Sequence, residues 1–298
     1  MEYLEKKSVF FASRDSLDQA DNVLIGAPMD FTVSFRPGSR FGPARIREIS
    51  EEGMEDYSPV LDRYLDEVGF YDAGDVLMPF GNVAASLERI KESARYMFAR
   101  GKRLFTLGGE HLVSRPLIAA CAEIYPDLCV IHFDAHTDLR CDFMGEELSH
   151  ACVIRYAAEL LLPQSVFQLG IRSGLREEFA WAREHTRLYF NQLLEPLTEV
   201  KTAIGKRPVY VTLDIDVLDP AFAPGTGTPE AGGFSSRELF TALYTLADLD
   251  VVGFDLVEVS PLCETNDNTS VLAAKIMREA IIAFGQKKAG DNLQQDVD

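Results

Sequence analysis

Short apolar runs rich in β-branched residues recur along the whole chain, separated by segments of helical period, and this alternation constrains the fold more than any other feature. The runs are VLIGA from Val23, VGFYDAG from Val68, LFTLGG from Leu104, LCVIHFD from Leu128, VFQLGI from Val166, RLYF from Arg187, VYVTLDID from Val209 and VVGFDLVEV from Val251. Each has the length of a strand, and most are bounded by Gly or Asp. Between them, Ala84 to Arg100 places Leu87, Ile90, Ala94 and Met97 or Phe98 on one helical face. Pro116 to Ile124, Ala151 to Leu162, Leu175 to His185, Ser236 to Ala247 and Thr269 to Phe284 have the same period. Strands that are apolar along their length and alternate with helices predict an α/β fold, a parallel sheet of about eight strands covered on both faces. No Pro-, Gly- or Ser-rich linker interrupts the pattern, so residues 1–285 are expected to form one domain. The polar stretch 286–298 is expected to be a frayed tail.

The 298 residues carry 29 Lys plus Arg against 47 Asp plus Glu, a formal charge of -18. Nucleic-acid binding rests on neutralising phosphates with basic side chains, and anionic membranes attract basic segments. Both partners are therefore excluded, and cationic small molecules or metal ions are favoured. The apolar fraction of 47% is ordinary for a globular protein, so the acidity overlies a normal core. The acidic stretch EISEEGMEDY reads as a solvated helix end. Cys121, Cys129, Cys141, Cys152 and Cys263 are odd in number and lack CxxC spacing, which suits reduced thiols in the cytoplasm. The N-terminal residues mix both charges without the apolar core of a signal sequence. No apolar run reaches the roughly 18 residues of a membrane span.

Ligands of an open parallel sheet collect beyond the carboxyl ends of its strands. Here the third run ends in LGGEH, with His111 past a Gly pair; the fourth in HFDAHTD, with Asp134, His136 and Asp138; the seventh in LDIDVLDP, with Asp214 and Asp216. Side chains two apart on an extended segment share a side. Asp134, His136 and Asp138 are therefore expected to converge on one point, as are Asp214 and Asp216. Carboxylates so crowded cannot all stay ionised in a partly dry site unless cations balance them. Two divalent metals balance four Asp charges, and a donor set of two imidazoles and four carboxylates favours octahedral Mn²⁺, with Fe²⁺, Co²⁺ and Zn²⁺ compatible.

The other candidates read individually. His132 lies deeper in its strand, as a hydrogen-bonded core histidine, and His185 sits in a charged stretch, WAREHTR, as a solvated residue. His150 follows the polar loop LRCDFMGEELSH and opens a helical segment, where it can lean over the metal site. Glu258 ends the last run in step with Leu256 and Phe254, an inward glutamate that needs a cationic partner. A salt bridge to Arg or Lys is the structural alternative.

These segments together resemble the ureohydrolase family of arginases and agmatinases, and among its members most resemble agmatinases. The resemblance runs over nearly the whole chain, through RPGSRFGPARIRE from Arg36, GGEH from Gly108, HFDAHTDLR from His132, LSH from Leu148, LGIRSG from Leu169, TLDIDVLDP from Thr212, GTGTPEAGG from Gly225 and GFDLVEVSP from Gly253. It implies a three-layer α/β/α sandwich around an eight-stranded parallel sheet, a binuclear Mn²⁺ centre, and release of urea from a guanidino compound by a metal-bridging hydroxide. Residue by residue, it implies that His111 and Asp138 bind one metal, that His136 and Asp216 bind the other, and that Asp134 and Asp214 bridge both. His150 would handle protons and Glu258 would receive the guanidinium, with Asp138 or His150 protonating the leaving amine.

Substrate choice follows from departures within the family. Arginases place an asparagine after DAHTD to help hold the α-carboxylate of arginine, where this chain has Leu139 and Arg140. They also place an acidic residue after the GIR segment to anchor the α-amino group, where this chain has Ser173, Gly174 and Leu175. Loss of both anchors fits agmatine, hydrolysed to putrescine and urea. The alternatives are a guanidinobutyrase, an arginase, a formimidoylglutamase (suggested by Arg140) or a non-catalytic metal-binding regulatory protein. A homo-oligomer, trimer or hexamer, is also implied.

Overall fold

In the computed structural model, which describes residues 2–285, every one of the eight predicted runs is a strand. The strands are β1 (Leu4–Glu5), β2 (Asn22–Ala27), β3 (Tyr57–Ser58), β4 (Arg63–Tyr64), β5 (Phe70–Val76), β6 (Arg103–Gly108), β7 (Cys129–Phe133), β8 (Val166–Leu169), β9 (Arg187–Tyr189), β10 (Pro208–Asp214) and β11 (Asp250–Val257). The main sheet has the order β1-β5-β2-β6-β11-β10-β7-β8-β9. All neighbours from β5 to β9 pair in parallel. The ninth strand, β1, is one more than expected and pairs antiparallel with β5 at the sheet edge. It escaped notice because the polar stretch around Leu4 has no apolar run, and its two residues are held by backbone pairing. The expected tail, 286–298, lies outside the described residues.

The helices are α1 (Gly42–Glu52), α2 (Leu65–Val68), α3 (Val83–Phe98), α4 (Ser114–Ile124), α5 (Val153–Leu160), α6 (Arg176–His185), α7 (Leu197–Ile204), α8 (Ser236–Thr245) and α9 (Asn268–Phe284). Local chemistry sets their starts. Asn82 caps α3 by accepting from Ala85 N at 3.0 Å, and Ser235 and Glu238 form a reciprocal capping box at α8. Alternate strand residues face opposite layers. On β2, Leu24 joins the core shared with α1, α7, α8 and α9, whereas Val23, Ile25 and Ala27 join the core shared with α3, α4, α5 and α6. The result is a three-layer α/β/α sandwich. No helix among the described residues is long and apolar enough to cross a membrane.

This topology gathers the chemistry. The adjacent central strands β6, β11, β10 and β7 lead at their carboxyl ends into His111, Glu258, Asp214 and Asp134 respectively. Segments more than a hundred residues apart in sequence thus meet at the centre of one sheet edge.

Candidate metal centre

His111 begins the short turn after β6, and the Gly pair before it is required by packing. A Cβ on Gly109 would lie 1.9 Å from the Met29 carbonyl oxygen. That close approach lets Glu110 N donate to Met29 O at 2.7 Å and Glu258 N donate to Gly109 O at 2.8 Å, fixing the β6 and β11 ends against each other. His111 Nδ1 then lies 3.1 Å from both Asp134 Oδ2 and Asp138 Oδ2, and 3.5 Å from Asp214 Oδ2. His136 Nδ1 lies 3.0 Å from Asp216 Oδ2 and 3.5 Å from Asp134 Oδ1.

The expectation that Asp134, His136 and Asp138 converge on one point needs correction. β7 ends at Phe133, and the segment beyond it is no longer extended; Asp138 has φ 51°, in the left-handed region. The segment folds into two groups that share Asp134: His111, Asp138 and the deeper His132 around one point, His136 and Asp216 around another, with ligand atoms in each group within 4.8 Å of one another. Asp214 and Asp216 likewise meet through a tight turn, in which Asp216 N donates to Asp214 Oδ1 at 2.8 Å. Ala135 N donates to Asp216 Oδ1 at 3.1 Å and joins the two loops.

The electrostatics call for cations. Burial, together with the charges of Asp216 and Asp134, pushes Asp214 well above the usual carboxylate range, and burial beside Asp134 raises Asp216. Asp134 is also buried, yet His132, His111 and His136 hold it well below that range. Against the opposing effect of burial, Asp216 and Asp134 push His136 up to about 12. Protons can therefore serve as counter-charge here, but they leave polar atoms unmatched. His111 Nδ1 and Asp216 Oδ2 are buried without a hydrogen-bond partner, although each lies about 3 Å from another electron-rich atom. A divalent ion would take the place of these protons as counter-charge and give both atoms a partner, and the mixed imidazole–carboxylate donors fit such an ion.

A cavity of about 360 Å³ opens onto this cluster, and its wall includes His111, His136, Asp138, His150, Asp214 and Glu258. Glu258 does not follow the parity read from its strand. β11 ends at Val257, and Glu258 has φ 62°, which turns its side chain away from the layer of Leu256 and Phe254. Its Oε1 accepts from His111 N at 2.7 Å, and burial followed by the nearby charge of Glu110 raises it to about 8. No Lys or Arg pairs with it among the described ion pairs. His150 stands in the cavity wall with Nδ1 3.5 Å from Thr32 Oγ1 and Nε2 3.3 Å from Ser34 Oγ, and burial lowers its proton affinity.

Several contributors were not singled out from the sequence. Glu110 is fully buried and accepts from Phe31 N at 2.7 Å, Thr32 N at 3.0 Å and the Thr32 hydroxyl, so it holds the loop that contacts His150. Its adjacency to His111 in GGEH was the available signal. Glu178 accepts from Thr137 Oγ1 at 2.8 Å and Leu139 N at 3.2 Å, on both sides of Asp138, and from Leu175 N at 2.7 Å. Arg140 reaches the same carboxylate at 3.9 Å and lies over the Phe143 ring. His185 is on α6, stacked on Trp181 at 4.0 Å with Nδ1 2.8 Å from the Trp181 carbonyl oxygen, so it is packed against its own helix rather than simply solvated.

The sequence profile of the arginase family matches residues 20–283. The agmatinase of Bacillus subtilis (strain 168) is 53% identical over 279 residues, which cover 93% of this chain and 96% of that protein. Among solved structures, the agmatine ureohydrolase of Thermoplasma volcanium superposes with a TM-score of 0.83 at 31% identity, covering 92% of this chain and 93% of that one. The arginase from Medicago truncatula superposes with a TM-score of 0.75 at 29% identity, covering 89% and 87%.

Proposed function

Because the chain belongs to the arginase family, we propose that it is an agmatinase, a hydrolase that uses two Mn²⁺ ions to cleave agmatine into putrescine and urea and so feeds polyamine biosynthesis. The observation that carries this reading is the pair of imidazole–carboxylate groups sharing Asp134, with Glu258 on the wall of the same cavity. On this reading His111 and Asp138 would hold one ion, His136 and Asp216 the other, and Asp134 and Asp214 would serve both. Bound there, the ions supply Lewis acidity that brings the pKa of water close to neutrality.

The side chains of the chain supply binding, orientation and proton transfer. Glu258 receives the guanidinium: Oε1 is occupied by His111 N, which fixes the carboxylate plane and leaves Oε2 to accept from the substrate. A guanidinium held in this way presents its carbon to the cluster, and attack becomes nearly intramolecular. Collapse requires a proton on the leaving nitrogen, since an amide ion is too basic to depart. Asp138 or His150, both in the cavity wall, would carry it. Substrate choice rests on the walls, where Ser173, Gly174 and Leu175 offer no anion for an α-amino group and the charge of Arg140 is turned toward Glu178.

This reading describes residues 1–285 as one domain of a cytoplasmic homo-oligomer, a trimer or hexamer; five unpaired cysteines suit that compartment. The test is urea release from agmatine, arginine and 4-guanidinobutyrate with Mn²⁺ added. Agmatine is expected to be the preferred substrate. Faster release from either of the others would overturn the substrate assignment, and no urea from any of them, with metal bound, would overturn the activity.

A further inference from the structure

One layer beneath the metal cluster, five register-matched residues cross the centre of the sheet. Gln168 on β8 pairs with His132 on β7, His132 with Thr212 on β10, Thr212 with Asp255 on β11, and Asp255 with Thr106 on β6. All five are fully buried, in a sheet whose neighbouring positions are otherwise apolar. A polar row in such a place is costly unless its hydrogen bonds are made. The Thr106 hydroxyl makes none, and the bonds of the other four connect to the cluster.

The proton positions follow from counting donors. The Tyr210 hydroxyl donates to Asp255 Oδ2 at 2.7 Å, and the Thr212 hydroxyl has Asp255 Oδ1 at 2.7 Å and Ser114 Oγ at 3.2 Å. Thr212 has a single proton, and the shorter bond to a carboxylate takes it. Its oxygen is then an acceptor toward His111 Nε2, 2.9 Å away, so that nitrogen carries a hydrogen, and in the neutral ring Nδ1, which faces Asp134 and Asp138, is the atom free to coordinate a metal. The second arm gives the same result. Gln168 Nε2 donates to the Thr137 carbonyl at 2.8 Å, which fixes the amide orientation, and its other hydrogen points to His132 Nδ1 at 3.2 Å. His132 must then be protonated on Nε2, which donates to Asp134 Oδ2 at 2.8 Å.

We propose that this buried polar row is the positioning layer of the metal centre: through Thr212 and Asp255 it fixes the tautomer and ring plane of His111, and through Gln168 and His132 it fixes the bridging Asp134. His132, Gln168, Thr212 and Asp255 are positioning residues that touch neither substrate nor reacting atoms. Partners of this kind raise ligand basicity and orient the ring, and their loss typically weakens metal affinity by about 10–100-fold.

The inference rests on the metal reading of the cluster but is independent of the substrate. Metal-stripped protein is titrated with Mn²⁺ by equilibrium dialysis, and bound metal is counted by mass spectrometry. Thr212→Val keeps the side-chain shape and removes the hydroxyl; it is expected to weaken one of two Mn²⁺ equivalents by about 10–100-fold. Thr212→Ser, which restores the hydroxyl, is expected to return the affinity to within about threefold of wild type. Gln168→Met tests the other arm and is expected to weaken both equivalents, because Asp134 is shared. Wild-type protein that binds no Mn²⁺ would defeat the metal reading itself. Wild-type binding of two ions with unchanged affinity in Thr212→Val and Gln168→Met would leave that reading standing and overturn the positioning layer.

Discussion

Replacing Arg47 by Met should lower the melting temperature sharply while leaving every metal ligand in place. Arg47 lies on the inner face of α1 and is 1% exposed, beside Asp72 on β5 at 0%. Its Nε and Nη2 grip the two Asp72 oxygens at 2.7 and 3.0 Å, and Nη1 bonds Asp75. Asp72 also accepts from Phe10 N at 2.7 Å and from Gly74 N at 2.9 Å. The pair thus ties α1 and the N-terminal segment to the sheet, and it explains why a segment as charged as GPARIREISEE packs as a core helix.

Met fills much of the volume of Arg but leaves a buried carboxylate with two backbone donors and no counter-charge. Removing one partner of a buried pair costs about 3–5 kcal/mol, and the two surviving N–H bonds place this case near the lower end. At roughly 2–4 °C per kcal/mol for a chain of this size, a cost of about 3 kcal/mol is a fall of roughly 6–12 °C. Scanning calorimetry at fixed rate and fixed Mn²⁺ concentration reads it, since bound metal itself raises the transition. Adding Asp72→Asn removes the uncompensated charge and should recover about 1 kcal/mol or more, because residues in one ion pair do not behave additively. The reasoning fails if Arg47→Met melts within about 2 °C of wild type, a change of less than 1 kcal/mol, or if the double variant is no more stable than the single one.

The site makes further predictions. Asp216→Ala should release one of the two metals and eliminate urea formation, with metal counting by mass spectrometry as the check. In Glu258→Gln, the amide oxygen can still accept from His111 N, so metal content should hold while agmatine binding weakens by about 1.5–3 kcal/mol, the worth of a hydrogen bond to a charged group; isothermal titration with a non-hydrolysed guanidinium ligand measures it. Glu178→Leu strands two buried donors on either side of Asp138 and the part-buried N–H of Leu175, and should lower the melting transition and the occupancy of the metal assigned to Asp138. Full occupancy with an unchanged melt would show that the clamp is dispensable.

The sheet was legible because its inner parallel strands are buried on both faces, so each appears as an apolar run whatever its neighbours, and the half-buried edge strand β9 keeps a short one. β1 was not, because edge pairing through backbone leaves no side-chain signature. Of α1 only the solvated acidic end was read, because its inner face carries Arg47, which breaks the apolar period, and the four-residue α2 and the eight-residue α7 were missed. At the site, the residue types at the strand ends were readable, but the geometry that unites them was not. Period-two alternation assumes extended backbone, and both Asp138 and Glu258 lie just past a strand end with positive φ. A left-handed residue reverses the direction a parity argument assigns, so Glu258 faces the cavity where alternation would have buried it with Leu256.

The partners of the ligands were hidden for a different reason. Thr212, Asp255, Gln168 and His132 come from four strands and acquire meaning only through inter-strand register, which a single sequence does not encode. Arg140 shows the same effect on charge. As a residue type at the mouth of a cavity it suggests an anionic substrate, yet its guanidinium lies over Phe143 and points toward a Glu178 that is itself anchored by three donors. Moving Arg140 toward a substrate carboxylate would separate it from that anion in a partly dry wall, where separation of opposite charges costs more than in water. What the cavity offers a ligand is therefore set by the charge left uncompensated after such internal pairing, and with the cluster carboxylates balanced by cations that charge is Glu258, whose second oxygen stays free. A field of that sign at the closed end of the cavity selects for a cationic head group, whichever residue stands at the mouth.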